Sequence, residues 1–429
     1  MSESDAPTAP SMAPVHFPTS PTPAADARLR VFVFALFFVF GGITSLNDVV
    51  IPKLKGLFTL SYAEAMLVQS AFFAAYFLVS IPAALIVERL GYMRTAVLGL
   101  LCMTAGCLLF VPASASGRFA VFLAALFVLA SGITVVQVVA NPLIALLGSA
   151  ATAHSRLTFA QAFNSLGTTI FPYVGAVLIL GSTGAAALGI DRALQTRVIV
   201  HAYLWLAGAL TVLALLVWRR RDRLAEVPAA TRGMLRTFDL LKRARFAAGA
   251  SCIFLYVGAE VAIGSLLVSY LVQPGVWDTT PEIAGKHVSF YWGGAMVGRF
   301  IGAYVLRVAA PGKVLAVAAG VAIALLIVSA NTSGSVCGWS LLAVGLFNSI
   351  MFPTIFTLAS EGLGRRAAEG SGIICMAIVG GALLPLATGH AADLVGLKAA
   401  LGIPGLCYAG ILGFGLYARR PLAAAGEDA

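Results

Sequence analysis

Charged residues are scarce in this sequence: Asp, Glu, Lys and Arg make up 11% of its 429 residues, whereas 60% are hydrophobic. Soluble globular domains carry about 25% charged residues, so the composition predicts an integral membrane protein. Catalytic motifs are lacking too, since there is no HExxH, CxxC or Walker pattern and the five histidines are scattered. The six cysteines lie in apolar runs without metal-ligand spacing, as is typical of small core residues. We expect no bound metal, no cofactor and no enzymatic activity.

Long stretches without any charge predict the membrane spans. A spanning helix needs about 20 residues, so the charge-free window 314–360 is too long for one span, and its polar turn at 331–335 divides it. Two more segments become spans if each tolerates one charge, Glu260 in the first and Arg299 in the second. The predicted fold is an all-α membrane protein of 12 transmembrane helices, near 30–56, 61–89, 92–112, 118–148, 155–181, 196–218, 246–272, 283–308, 312–331, 336–362, 368–394 and 399–418.

Positive charges predict the orientation and the division of these spans. With both termini inside, the inner segments hold 20 Lys and Arg residues and the outer loops hold 7, which places both termini in the cytoplasm. The net charge of +10 is therefore a topology signal, and no nucleic-acid partner is expected. The largest polar interruption divides the chain into a disordered cytoplasmic tail, an N-terminal six-helix half, a basic cytoplasmic linker, a C-terminal six-helix half and a second cytoplasmic tail, at 1–29, 30–218, 219–245, 246–420 and 421–429.

A short repeat relates the two halves. A Gly-x4-Pro pattern that starts at Gly167 recurs 213 residues later at Gly380. The same shift takes Asn47 to Glu260, so each half opens with a helix that is polar at mid-depth. Two parallel six-helix halves joined by a cytoplasmic loop are the architecture of major facilitator transporters.

Two carboxylates are predicted inside the membrane. Asp48 follows Asn47 and a run of 17 uncharged residues, and a carboxylate at such a depth costs a few kcal/mol and marks a functional site. The alternative, a buried helix of a soluble domain in which Asp48 has a structural partner, conflicts with the rest of the chain. Glu260 lies one helical turn after Tyr256. Asp48 and Glu260 are the candidate carriers of a coupling ion, and substrate binding or pairing with Arg299 stays open for Glu260.

Amide side chains recur at helical spacing on predicted helices four and five. Gln137 and Asn141 are four residues apart, and Gln161 and Asn164 are three apart, so each pair shares one helix face. An amide both donates and accepts hydrogen bonds, as a sugar hydroxyl does, which indicates a neutral polyol substrate. Hydrogen bonding between helices is the structural alternative for any single amide. The remaining candidate substrate residues are Asn47, Tyr256, Glu260, Trp292 and Asn348.

Charged clusters near helix ends are candidates for a gate. Glu88 and Arg89, followed by a glycine turn and Arg94, join predicted helices two and three on the cytoplasmic side. Arg299 and Arg307 occupy the corresponding region of the second half. Such charges can pair in one conformation and separate in another. Topology signalling alone is the simpler interpretation.

Several segments together resemble the fucose/glucose/galactose permease family of the major facilitator superfamily, over about residues 30–418. The segments that carry the resemblance are 46–48 (LND), 68–70 (VQS), 130–137 (ASGITVVQ), 140–142 (ANP), 161–168 (QAFNSLGT), 256–260 (YVGAE), 290–302 (FYWGGAMVGRFIG) and 345–354 (GLFNSIMFPT). In the fucose branch the position matching Gln137 is a glutamate, so the glutamine is similar to the glucose/galactose branch. This departure leaves Asp48 without a second carboxylate in its half.

The resemblance implies a secondary transporter that imports a hexose by symport with a cation, generally a proton and alternatively sodium, through alternating access. The implied partners are a monosaccharide, the coupling ion and the lipid bilayer of the cell inner membrane, and a monomer is expected. N-acetylglucosamine or fucose permease activity is the alternative within the family. A transporter-like sugar sensor and a membrane enzyme are alternatives of other classes.

Overall fold

A computed structural model describes residues 29–45, 62–175, 192–221 and 234–419 of the chain. Within these ranges the fold is all-helical, which confirms the predicted fold class. We number the long helical segments α1 Leu29–Ser45, α2 Tyr62–Leu90, α3 Tyr92–Ser116, α4 Phe119–Leu146, α5 Ala153–Gly175, α6 Arg192–Trp218, α7 Ala244–Leu271, α8 Pro281–Val308, α9 Pro311–Asn331, α10 Gly334–Ser360, α11 Ala367–Val395 and α12 Leu397–Tyr417. The twelve segments follow the predicted order.

The outer surface of the helices is strongly apolar. Among the described residues, nine helices are long and apolar enough to cross a membrane, and α1 is a shorter apolar helix. Large apolar side chains point outward, with Trp205 82% and Leu406 75% exposed. Soluble monomers seldom expose contiguous apolar patches of more than a few hundred Å². The exposed apolar side chains therefore agree with a multi-pass membrane protein.

Glycines let the helices approach closely in both parts of the chain. We call α1–α6 the first bundle and α7–α12 the second bundle. A Cβ on Gly167 of α5 would lie 2.1 Å from the Phe38 carbonyl oxygen of α1, and one on Gly380 of α11 would lie 2.0 Å from the Phe254 carbonyl oxygen of α7. The Gly-x4-Pro repeat thus coincides with equivalent close approaches in the two bundles.

Two prolines free backbone carbonyls that contact other helices. Proline has no N–H to donate to the carbonyl four residues earlier. Pro142 therefore leaves the Val138 carbonyl available, and Ser371 Oγ of α11 donates to it over 2.8 Å. Pro353 likewise leaves the Ser349 carbonyl available. Ser349 lies at the break in α10, between its two parts Gly334–Asn348 and Met351–Ser360.

The contacts between the bundles begin at one end of the molecule. We call this end the linker face, because α6 ends there and α7 begins there. Starting at this end, α5 packs along α8. Ser155 Oγ of α5 donates to the Ala303 carbonyl of α8 over 2.6 Å, and the rings of Phe159 and Phe300 meet with their centroids 6.1 Å apart. Beside α2, a Cβ on Gly372 would lie 2.7 Å from Ala84 Cβ. The two bundles are therefore closed against each other at the linker face.

Candidate functional site

On α4, the amide of Gln137 is held by a tyrosine of α2. Tyr76 Oη donates to Gln137 Oε1 over 2.7 Å, and both side chains are buried. With Tyr76 as the donor, the Nε2 hydrogens of Gln137 remain for another acceptor. Sequence reasoning selected Gln137 but missed Tyr76, which stands alone in an apolar part of α2.

On α5, the two predicted amides have different surroundings. Gln161 is buried, and its backbone carbonyl accepts a hydrogen bond from Arg299 of α8. Asn164 is half-buried, and its Nδ2 donates to the Phe37 carbonyl of α1 over 3.3 Å, where the backbone of Gly41 approaches the Asn164 side chain. Asn164 thus joins two helices of the first bundle, and its carbonyl oxygen is left for another donor.

In the second bundle, four predicted or neighbouring residues form one hydrogen-bonded cluster. Tyr256 Oη lies 2.8 Å from Glu260 Oε1 and 3.1 Å from the Asn348 carbonyl oxygen. Asn348 Nδ2 donates to Tyr291 Oη over 2.8 Å, and that hydroxyl donates to the Glu260 carbonyl over 3.3 Å. The structure therefore brings Tyr256, Glu260 and Asn348 together around Tyr291. We name these four residues the tyrosine–carboxylate cluster.

Arg299 connects the bundles at mid-depth. Its guanidinium donates to the Ser349 carbonyl of α10 over 3.3 Å, to the Gln161 carbonyl over 3.3 Å, and to the Ser165 hydroxyl of α5. Among the described residues it forms no ion pair with Glu260. Arg299 lies well inside α8, so its partners belong to the middle of the bundle interface and not to a loop.

Trp292 lies on the face of α8 that also carries Arg299. Residues 292, 296, 299 and 303 share this face, and Met296 and Arg299 both contact α5. Trp292 is 44% exposed, and its ring meets that of Tyr291 edge-on at 5.1 Å. An exposed indole on a face that turns toward the other bundle suits stacking on a sugar ring.

The predicted carboxylate of the first bundle and its neighbour lie outside the described residues. Asp48 and Asn47 follow the end of α1 at Ser45. The last described residues of α1 are polar: Thr44 Oγ1 donates to the Phe40 carbonyl over 2.7 Å and Ser45 Oγ to the Gly42 carbonyl over 2.9 Å. The role of Asp48 stays a prediction.

Among the predicted gate residues, one crosses between the bundles at the linker face. Arg307 Nε donates to Ser155 Oγ over 3.2 Å. Glu88 is buried at the end of α2, whereas Arg89 and Arg94 are exposed beside it. Their place at the linker face agrees with the gate hypothesis, which stays a prediction.

A second linker-face contact was missed by sequence reasoning, which treated the histidines as scattered. His154 of α5 is buried, with Nδ1 2.5 Å from Thr357 Oγ1 and Nε2 3.5 Å from Glu361 Oε1. Glu361 also pairs with Arg245 of α7. The first bundle therefore inserts a histidine into a polar pocket of the second. His154 and Glu361 are far apart in the sequence, so a spacing rule within one helix cannot predict that they meet.

Taken together, the geometry offers hydrogen-bond donors and acceptors from both bundles at mid-depth. Three of these polar residues are half-buried between helices: Glu260, Arg299 and Asn164. Charged side chains are rare in membrane spans, and they almost always face the bundle interior or a water-filled cavity. No cluster of metal-ligating residues occurs among the described residues. The arrangement offers hydrogen-bonding groups from both bundles to a neutral polar solute.

Comparisons with known proteins agree with this architecture. The model of the Major Facilitator Superfamily matches residues 33–385. A glucose/galactose transporter of Brucella abortus is 48% identical over 383 residues, covering 89% of this chain and 92% of that protein. The L-fucose-proton symporter of Escherichia coli is 32% identical over 421 residues, covering 91% and 94%.

A solved structure shows the same fold. The transporter FucP in the outward conformation superposes with a TM-score of 0.81 at 30% identity, covering 92% of this chain and 99% of that one. The sequence relatives and the solved structure both match nearly the whole chain, which is more than a shared number of helices would give. The chain therefore belongs to the Major Facilitator Superfamily, in its fucose/glucose/galactose permease family of transporters.

Proposed function

We propose that the protein imports a hexose of the glucose/galactose type by proton symport. The observation that carries the proposal is the link made by Arg299, which donates to the Gln161 carbonyl of the amide-bearing α5 and to the Ser349 carbonyl, next to Asn348 of the tyrosine–carboxylate cluster. Hydroxyls need partners that both donate and accept, and amides and tyrosines supply both. The glucose/galactose transporter of Brucella abortus and the L-fucose-proton symporter of Escherichia coli support the substrate class and the coupling ion.

Within this proposal, the substrate residues are Gln137, Gln161, Asn164 and Trp292 together with the tyrosine–carboxylate cluster and the two polar residues predicted earlier, Asn47 and Asn141. Asp48 and Glu260 are the candidates for carrying the proton. Sodium is the other cation that the family resemblance allows. Arg299 and Arg307 hold the bundles together in the present conformation and release them when the linker face opens.

The proposal also covers orientation and assembly. The excess of Lys and Arg in the segments at the linker face favours the cytoplasm for that face, with both termini inside and the chain in the inner membrane. The closed linker face is then the cytoplasmic face. The likeness to FucP in the outward conformation supports that assignment. We propose a monomer with two six-helix halves, 30–218 and 246–420.

Transport in proteoliposomes tests the function directly. With an acidic exterior, we expect labelled D-glucose to accumulate above the external concentration, and a protonophore to abolish the gain. A sodium gradient without a pH gradient separates the two ions. Competition by D-galactose, L-fucose and N-acetylglucosamine ranks the substrates within the family. Binding without any accumulation under either gradient contradicts symport and supports a sensor.

A further inference from the structure

Asn141 differs from the other predicted substrate amides because both atoms of its amide are buried without an ordinary hydrogen-bond partner among the described residues. It is 0% exposed, and among the described residues neither its Oδ1 nor its Nδ2 has a hydrogen-bond partner of ordinary geometry. Its neighbour is the Cys375 thiol of α11, and a thiol is only a weak donor and acceptor. Gln137, one turn away, has the Tyr76 hydroxyl as a partner. Burying an unpaired amide is unfavourable, so Asn141 calls for a functional explanation.

We call the small residues of α11 that pack against α2 and α4 beside Asn141 the seal. Ser371 Oγ donates to the Val138 carbonyl that Pro142 leaves available. A Cβ on Gly372 would lie 2.7 Å from Ala84 Cβ and 3.0 Å from the Ser80 carbonyl oxygen. These contacts join the second bundle to the first, so they separate when the bundles move apart at the linker face.

At the linker face, the start of α11 is held by hydrogen bonds to the segment that precedes α7. Arg366 donates from Nε to both Glu369 oxygens over 3.1 Å, and from Nη2 to Asp239 Oδ1 over 2.5 Å. Asp239 lies in the segment that precedes α7. The seal is therefore anchored to the second bundle, so opening of the linker face would separate it from α4.

From these observations we propose that Asn141 is a hexose-hydroxyl ligand of the release side, unavailable while the linker face is closed and exposed to the sugar when it opens. The proposal rests on the hexose transport proposed above. Asn141 lies about 6 Å nearer the linker face than Gln137, one helical turn along α4. A sugar moving toward the linker face thus meets Gln137 first and Asn141 second. The unpaired amide also favours opening, because opening gives it water or sugar as a partner.

Two matched conformational traps test the assignment. In a background without the native cysteines, a disulfide between Ala84→Cys and Gly372→Cys holds the linker face closed. The two Cβ positions lie 2.7 Å apart and need to separate by only about 1 Å to reach the Cβ–Cβ distance of a disulfide. In the other trap, Gly372→Trp holds the face open, because the ring cannot fit against Ala84. Equilibrium binding of labelled D-glucose is measured in each trap with and without Asn141→Ala.

We expect Asn141→Ala to reduce glucose affinity at least fivefold more in the open trap than in the closed trap. Gln137→Ala is the comparison variant, and it should weaken binding in the closed trap. An equal loss for Asn141→Ala in both traps, or no loss in the open trap, overturns the release-side assignment. Absence of glucose binding in every trap, with intact Gln137 and Asn141, contradicts the proposed hexose function itself.

Discussion

At the scale of single residues, the polar contacts of this protein depend on backbone groups that prolines set free. Pro142 makes the Val138 carbonyl an acceptor for Ser371 of α11, and Pro353 does the same for the Ser349 carbonyl, which accepts from Arg299. Inside a membrane, a freed carbonyl needs a partner from a neighbouring helix or a cavity. Proline positions in the sequence therefore mark where helices exchange polar contacts.

The Tyr76–Gln137 pair gives a prediction at the same scale. Gln137→Ala should weaken glucose binding by about 1–3 kcal/mol, since the sugar loses an amide partner and the Tyr76 hydroxyl is left unpaired. Tyr76→Phe should cost less, because the amide can turn toward the substrate. Isothermal titration of the purified protein measures both.

Asn331→Ala supplies the matched control, because that amide lies at the exposed end of α9 and only donates to the Ile327 carbonyl of its own helix. Its glucose affinity should equal that of the unmodified protein. Unchanged affinity in Gln137→Ala, with the protein folded, would assign Gln137 to helix packing instead of substrate binding.

Sequence patterns found the site residues unevenly. Helical spacing selected Tyr256 with Glu260, and the structure confirms their contact at 2.8 Å. The same spacing selected Gln137 with Asn141, but one turn along α4 separates an amide with a partner from one beside the seal. Spacing reports a shared helix face and contains no information on the helix that covers it. Contacts such as His154 with Glu361 depend on that missing information.

At the scale of helices, glycines decide which pairs cross most closely. The approaches at Gly167 and Gly380 leave no room for a Cβ, which would lie within 2.1 Å and 2.0 Å of a carbonyl oxygen. Without a hydrophobic driving force between helices in lipid, such close packing holds the bundle together. The first helix of the second bundle, α7, carries the candidate coupling carboxylate Glu260, so the crossing at Gly380 fixes how this helix sits against α11.

Gly167→Ala and Gly380→Ala should each lower the thermal stability of the detergent-solubilised protein, at a cost of about 1–3 kcal/mol for overpacking. The matched control is Gly208→Ala on α6, where a Cβ meets nothing within 4 Å. Alanine there should be neutral or stabilising by up to about 1 kcal/mol through helix propensity. Equal melting temperatures for all three variants would refute the role of the close crossings.

Charged residues and turn residues in the sequence predicted where the helices end more accurately than they predicted which helices contact each other. The polar turn predicted at 331–335 separates α9, which ends at Asn331, from α10, which begins at Gly334. The third helix was predicted to end at 112, but it continues to Ser116 through Pro112 and ends where Gly117 adopts a φ of 59°. Glycine reaches this left-handed conformation at little cost, and it determines the end more strongly than the internal proline.

At the scale of the whole molecule, orientation follows from the charge distribution and can be tested separately from transport. Single cysteines placed at 222–235 should react with an impermeant maleimide only in opened cells or inverted vesicles, because that segment is predicted to be cytoplasmic. A cysteine at 274–280, in the segment between α7 and α8, should show the opposite pattern. Labelling of the 222–235 positions in intact cells would reverse the orientation and the assignment of the closed face.

Coupling is the other property of the whole molecule, because it links one carboxylate to the movement of both bundles. A carboxylate on a moving helix crosses the low-dielectric interior at least cost when it is neutral. If sugar and proton favour the same conformation, their binding is linked and reciprocal. Two carboxylates compete for this role, Asp48 on the first bundle and Glu260 in the tyrosine–carboxylate cluster.

Asp48→Asn should abolish uphill accumulation driven by a pH gradient while sparing sugar binding and sugar-for-sugar exchange, since the amide keeps the size and stays uncharged. Asp48→Ala should impair binding and exchange as well, because the hydrogen bonds are lost. Glu260→Gln is the matched variant: it keeps an acceptor for the Tyr256 hydroxyl, which donates to Glu260 over 2.8 Å. Uptake and exchange in the same proteoliposomes measure both variants. Accumulation that persists in Asp48→Asn and disappears in Glu260→Gln would transfer proton carriage to Glu260 in the second bundle.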